Sequence, residues 1–197
     1  MGKAAGRLRT ATCFIGIAAL GGCAALIPQA PRAIYDLSAP DASDTGRRVS
    51  AQVLIPPPSA VRALDSDLIA ARPAQSEYAY LPGAQWSDAL PKLLQMRLLQ
   101  TFQNSGRVAA VGLPGQGLLI DFQVILDIRA FELAGQRAVA EFAVKLMNDR
   151  NGRIVRTTIV RTEAALVGEG TPAVVAALDA AMDEAFLQIV DWVASGR

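Results

Sequence analysis

Leu118-Leu-Ile-Asp-Phe-Gln-Val-Ile-Leu-Asp-Ile-Arg129 is the stretch on which the fold turns. Leu118, Ile120, Phe122, Val124, Leu126 and Ile128 alternate with Asp121, Gln123, Asp127 and Arg129. Alternation at period two puts one face in a core and the other in water, the pattern of an antiparallel sheet covered on one side. Ala134-Gly135 allows a turn, and the run Arg137 to Met147 places Phe142, Val144 and Leu146 on one face of a returning strand. Asn151-Gly152 is a strong hairpin signal, because both residues tolerate the positive φ that a tight reversal needs. Arg153 to Val167 returns again, with a blurred alternation that predicts a bulge. A helix follows: Thr171 is placed to cap it and Pro172 at its first position. Val175, Leu178, Met182, Phe186, Ile189 and Val193 then recur at spacings of three and four, while Asp179, Asp183 and Asp191 face elsewhere.

Working back toward the N-terminus, Gly112 to Gly117 is a loop without the order of a phosphate-binding motif. Arg107 to Val111 reads as a short strand. A first helix precedes it, with Ser87 as N-cap, Asp88 suited to the helix dipole in the first turn, and Pro91 near the start. Leu90, Leu94, Leu98 and Phe102, broadened by Leu93, form its apolar face, and Asn104-Ser-Gly106 ends it. Asp67–Ala71 and Glu77–Leu81 suit a hairpin around Arg72 to Ser76, with Pro82-Gly83 marking the next turn. Val49 to Ile55 is a strand stopped by Pro56-Pro57-Pro58, and Ile34 to Leu37 is a candidate first strand. The expected fold is α+β: a mainly antiparallel sheet with two amphipathic helices packed on one face.

Composition fits one globular domain: 52% of the 197 residues are hydrophobic and 19% charged. The net charge of +1 gives no basic surplus for a phosphate backbone, so nucleic acid is not an expected partner. There is no histidine, which removes the commonest general base and the commonest metal ligand. At the N-terminus, Lys3, Arg7 and Arg9 precede an apolar run from Ala11 to Leu20, too short to span a bilayer and typical of a secretory signal. Leu20-Gly-Gly-Cys23 resembles the bacterial lipobox. Cys23 supplies a thiol for thioether linkage to diacylglycerol, and the small residues before it let a signal peptidase approach. Two or more acyl chains suffice for stable anchoring. The expected division is a signal peptide over 1–22, acylated Cys23 and a tether over 23–33, and a periplasmic domain over 34–197. Removing Lys3, Arg7 and Arg9 takes 19 basic residues to 16 against 18 acidic ones, a net of −2 over 23–197. Cys13 leaves with the signal, so the mature domain has no cysteine for a disulfide, a nucleophile or a thiolate metal site. Ala24, where an aspartate resembles an inner-membrane retention signal, favours the inner face of the outer membrane.

Glu77-Tyr-Ala-Tyr-Leu-Pro-Gly-Ala-Gln-Trp-Ser-Asp-Ala-Leu-Pro-Lys-Leu-Leu-Gln-Met-Arg-Leu98 resembles the auxiliary lipoproteins of MCE-type ABC lipid transporters, the PqiC-like family. The lipobox, the domain size and a last helix ending near a tryptophan, Trp192, agree with that family. The resemblance implies a non-catalytic docking component that works with an MCE-domain protein, an ABC permease and an ATPase, and that meets the membrane through its acyl chains. It implies no cofactor, metal or catalytic residue, and a homo-oligomeric collar around a lipid conduit stays open. Tyr78, Tyr80, Trp86 and Arg97 are the candidate partner-binding residues, since aromatics and arginine are favoured interface anchors. The three aromatics suit packing of the hairpin against the first helix equally, and Arg97 suits an internal acid. Asp121, Asp127 and Glu141 fall on the wet faces of neighbouring strands, where a solvated sheet competes with a carboxylate pair or cation site. Two other readings stay in view: a structural lipoprotein of another envelope assembly, for secretion or surface-glycolipid export, and a periplasmic hydrolase, for which no nucleophile motif exists.

Overall fold

The elements in chain order are β1 (Ala33–Tyr35), β2 (Val49–Leu54), β3 (Ser59–Ala60), β4 (Leu68–Ala74), β5 (Glu77–Trp86), α1 (Leu90–Ser105), β6 (Val108–Gly112), β7 (Phe122–Ala134), β8 (Arg137–Asn148), β9 (Arg153–Ala165) and α2 (Gly170–Ala194). This computed structural model describes Gly2, residues 32–41 and residues 46–195. They belong to one compact unit, Pro31–Arg197; a second unit, Met1–Ala30, lies outside the described residues apart from Gly2. The signal peptide, Cys23 and most of the tether therefore fall outside them.

β7 is the spine of a nine-stranded sheet. On one side it pairs antiparallel with β8 along nearly its whole length, and β8 pairs antiparallel with β9. Its other edge is covered in succession by β2, β3 and β4, all parallel to it. β6 extends the sheet beyond β2, while β5 and then β1 extend it beyond β4. The long ladders are thus antiparallel, as the alternation predicts, and the parallel pairs are short. They join segments distant in sequence, for which no local pattern exists.

The expected start of the central strand needs correction. Leu118 to Asp121 continue the alternation but form no strand, and Leu119 is 85% exposed. The reason is the partner: β8 reverses just past Asn148, which lies opposite Phe122, so no β8 ladder extends beyond it. The strand instead continues at its far end to Ala134. An irregularity between Ile128 and Ala130 resets the pleat there, and Ile128 and Phe131 both reach the core. The bulge expected in the last strand is present: Leu146 pairs with Arg156 and Met147 with Ile154, leaving Val155 unopposed. Pro82-Gly83 does not end a strand. β5 runs through it, and the extra residues are taken up by a register shift against β4 between Leu68 and Ala70. Gly83 has φ of 68°, which a side chain would strain.

Both helices share one apolar core with the sheet. Leu90, Leu94, Leu98 and Phe102 of α1 are buried, and α2 contributes Leu178, Met182, Phe186 and Ile189. Ala177, Ala181 and Ala185 are buried between them, small enough for close approach to the strands, and Thr162 Oγ1 of β9 donates to the Ala181 carbonyl at 2.6 Å. Trp86, Phe131, Phe142 and Phe186 form a chain of tilted rings with centroids 6.0, 6.5 and 5.5 Å apart. That spacing lies within the range favoured by ring quadrupoles. The helix starts differ from expectation: the N-cap of α1 is Ala89 and that of α2 is Glu169, neither with a side-chain cap. Gly106 closes α1 in the left-handed conformation, with φ of 58°.

Candidate functional site

Residues 33–40 form the first described segment of the domain, on its N-terminal side. Short polar side chains recur along it, and each finds a partner on another element. Asp36 Oδ1 accepts from the Leu37 N–H at 2.9 Å and from Ser87 Oγ at 3.1 Å, and Oδ2 accepts from Arg97 Nη2 at 2.7 Å. Burial alone raises the Asp36 pKa; the hydrogen bonds from Arg97, Leu37 and Ser87 outweigh it and hold the carboxyl below its ordinary value. Ser87 is thereby spent on Asp36, and its N–H donates to the Tyr35 carbonyl at 2.7 Å, which explains why it does not cap α1. Two residues on, the Ser38 N–H and Oγ both donate to the Asp179 carboxylate of α2, at 2.8 and 2.7 Å. Asn104 Nδ2 of α1 donates to the Pro40 carbonyl at 3.1 Å. The segment is stapled to both helices, by Asp36 and Pro40 to α1 and by Ser38 to α2.

The four residues singled out for partner binding separate in the structure. Trp86 is 1% exposed and stacks on Phe131, which corrects its reading as a contact residue: a fully covered ring has no surface to offer. Arg97 finds its internal acid in Asp36 and donates Nη1 to Gln100 Oε1 at 2.7 Å, while its Nε is buried without a partner. Tyr78 is half-buried. Arg72 lies 4.3 Å above its ring and donates Nη2 to its hydroxyl at 2.5 Å, and burial, then the charge of Glu132, raises the phenol pKa. Tyr80 is 39% exposed and donates to the Ala63 carbonyl at 3.2 Å. Of the four, Tyr80 presents the most surface.

The sequence reading missed Asp36, Ser38, Arg72 and Glu132. Glu132 is buried and accepts from Arg72 Nε and, at 3.3 Å, from Nη2. Only a carboxylate at a position that the pleat turns inward could have flagged it, and the bulge in β7 shifts that phase. The acids read as a candidate cation site lie apart in function. Asp121 accepts from the Gln52 N–H at 3.0 Å, Asp127 from Ser59 Oγ at 2.9 Å, and Glu141 sits between Arg129 and Arg161 at 3.2 and 2.8 Å. No cluster of three potential metal ligands occurs among the described residues. Nor does any described helix have the length and apolarity to cross a membrane.

The N-terminal segment is thus stapled to an α+β domain in which Asp36, Asp121, Asp127, Glu132 and Glu141 have structural partners. The comparison with known families gives this domain its class. Residues 35–190 match the family described as the ABC-type transport auxiliary lipoprotein component, and the chain belongs to it. The matched span contains the 77–98 stretch on which the PqiC-like resemblance rests. An uncharacterized protein of Bradyrhizobium diazoefficiens is 30% identical over 167 residues, covering 83% of this chain and 45% of that protein. The chain thus spans less than half the length of that relative. A crystal structure of a Xanthomonas campestris protein matches with a TM-score of 0.75 at 28% identity, over 82% of this chain and 94% of the other. A hypothetical protein of Chlamydia trachomatis shares the fold at a TM-score of 0.51 and 12% identity, over 74% of this chain and 96% of the other. The family is one of auxiliary lipoproteins of ABC transport, a membrane-anchored class of the envelope.

Proposed function

We propose that the protein is a non-catalytic docking component of an MCE-type ABC transporter that moves lipids across the bacterial envelope. The observation that carries this reading is the auxiliary-lipoprotein family match over residues 35–190. The 77–98 stretch narrows it to the MCE systems by resemblance. In this reading acyl chains on Cys23 hold the domain at the periplasmic face of the outer membrane. The staple of Asp36 and Ser38 holds residues 33–40 to α1 and α2 while the domain engages the MCE partner. Tyr80 and the half-buried Tyr78 are the aromatic contacts that remain available, and the absence of histidine and free cysteine from the mature chain fits a part that does no chemistry.

Native extraction of membranes, followed by affinity capture of the full chain, tests the reading. The MCE protein, permease and ATPase are expected to co-purify, and deletion of the protein is expected to impair envelope integrity. Capture without an MCE protein, together with an intact envelope in the deletion strain, would overturn it.

A further inference from the structure

A cavity of about 290 Å³ opens where the starts of β2, β7 and β9 and the end of β8 meet the C-terminal end of α2. Val49, Ala51, Phe122, Val155 and Val193 make most of its wall. Its size lies at the lower end of small-molecule sites, about 300–1,000 Å³, which suits a stretch of one aliphatic chain and not a two-chain lipid. Two polar side chains interrupt the apolar lining. Asn148 Oδ1 is buried with no hydrogen-bond partner, a state that costs free energy unless something else supplies a donor. Arg156 is held in place by its backbone bond and its stacking: its guanidinium lies 4.5 Å above the Trp192 ring, and Nη1 donates to the Trp192 carbonyl at 2.8 Å. Among the described residues no carboxylate stands within salt-bridge distance of it, a state it shares with Arg32, Arg47, Arg48, Arg62 and Arg153, none of which lines this cavity. The unopposed Val155 of the β9 bulge is what brings the side chain of Arg156 to this wall beside Val155 itself.

An apolar chamber of single-chain size and a pre-positioned guanidinium with no counter-ion among the described residues define one kind of occupant. We infer that this cavity binds a single-chain anionic amphiphile, with its aliphatic chain between β2 and α2 and its carboxylate or phosphate head on Arg156; a phosphate monoester also brings a P–OH that donates to Asn148 Oδ1. The guanidinium fork matches both heads. A peptide fits less well, because two polar groups cannot satisfy a run of backbone N–H and C=O groups. The site stands on the cavity alone and does not depend on which transporter the protein serves.

The test uses the full chain in phosphatidylcholine nanodiscs and a diazirine-bearing dodecanoic acid as photoprobe, with adducts mapped by mass spectrometry. Adducts are expected on the peptides that carry Ala51, Val155 and Val193. Dodecanoate and dodecyl phosphate should compete them away, and dodecyltrimethylammonium should not; the better competitor of the two anions identifies the head. Ala51→Phe, which fills the chamber, should reduce the adducts at least tenfold, and Arg156→Gln at least fivefold. Ala51→Leu repeats the experiment with a milder filling, and thermal melts confirm that each variant folds. Adducts that lie elsewhere, that persist in both Ala51 variants, or that the cationic amphiphile removes as well as the anions do would overturn the inference. Failure here with a captured MCE complex leaves the transport reading standing, and the converse result leaves this one.

Discussion

Asp183 lies one helical turn beyond Asp179 on α2, with its Oδ1 buried and unpartnered. Burial, then the neighbouring Asp179 charge, pushes its pKa from 3.8 up to about 6. The sign follows from linkage: the folded state holds this proton more tightly than the unfolded one. The stabilising contribution is therefore complete below the unfolded value and lost as pH rises through about 6. Asp183→Asn should melt with the parent at about pH 4 and above it at about pH 8, by roughly 1 kcal/mol once solvent screening is discounted. Equal melting temperatures at both pH values would refute the assignment. A second residue-scale prediction concerns Arg72 and Glu132. Arg72→Ala strands a buried carboxylate and should cost about 3 kcal/mol in urea unfolding. Replacing both residues with leucine should cost much less, because it removes the charge along with its partner.

At the scale of elements, β8 carries the middle of the core. Phe142 is fully buried and packs between Phe131 of β7 and Phe186 of α2. Phe142→Ala should lower stability by about 3–5 kcal/mol, read from denaturant midpoints, with no change in the ladder it belongs to. β1 has the opposite character: three residues, held by one parallel neighbour and by side-chain staples. Asp36→Ala removes the side-chain bonds from Ser87 and Arg97 and leaves the Ser87 N–H bond to the Tyr35 carbonyl in place. Hydrogen exchange of the Ile34 to Leu37 amides should speed up by an order of magnitude or more, while exchange in β7 and β8 stays at the global rate. Uniform exchange across all strands would show that the staple does not govern the tether segment. The two helix starts teach a related lesson. Ser87 has the right chemistry for a cap, yet Asp36 claims its hydroxyl and Tyr35 accepts from its amide.

For the whole molecule, Cys23→Ser should release the protein from membranes into the aqueous fraction, as followed by carbonate extraction and by the mass of the N-terminal peptide. Retention of that variant on membranes would remove the acyl anchor from the account. The three long antiparallel strands, the hairpin at Asn151-Gly152, the bulge in the last strand and the two apolar helix faces were legible in the sequence, because each is written in spacings of two to four residues or in turn chemistry, whereas the two-residue β3 carries no such signal. Tertiary structure alone decided that β2, β3 and β4 cover one edge of β7 in parallel, that Trp86 belongs to the core, that Arg97 answers Asp36, and that Arg156 faces a cavity with no counter-ion among the described residues. Those facts join residues tens of positions apart. Periodicity tells each side chain which face it occupies, but the partner it meets there depends on how distant segments are brought together.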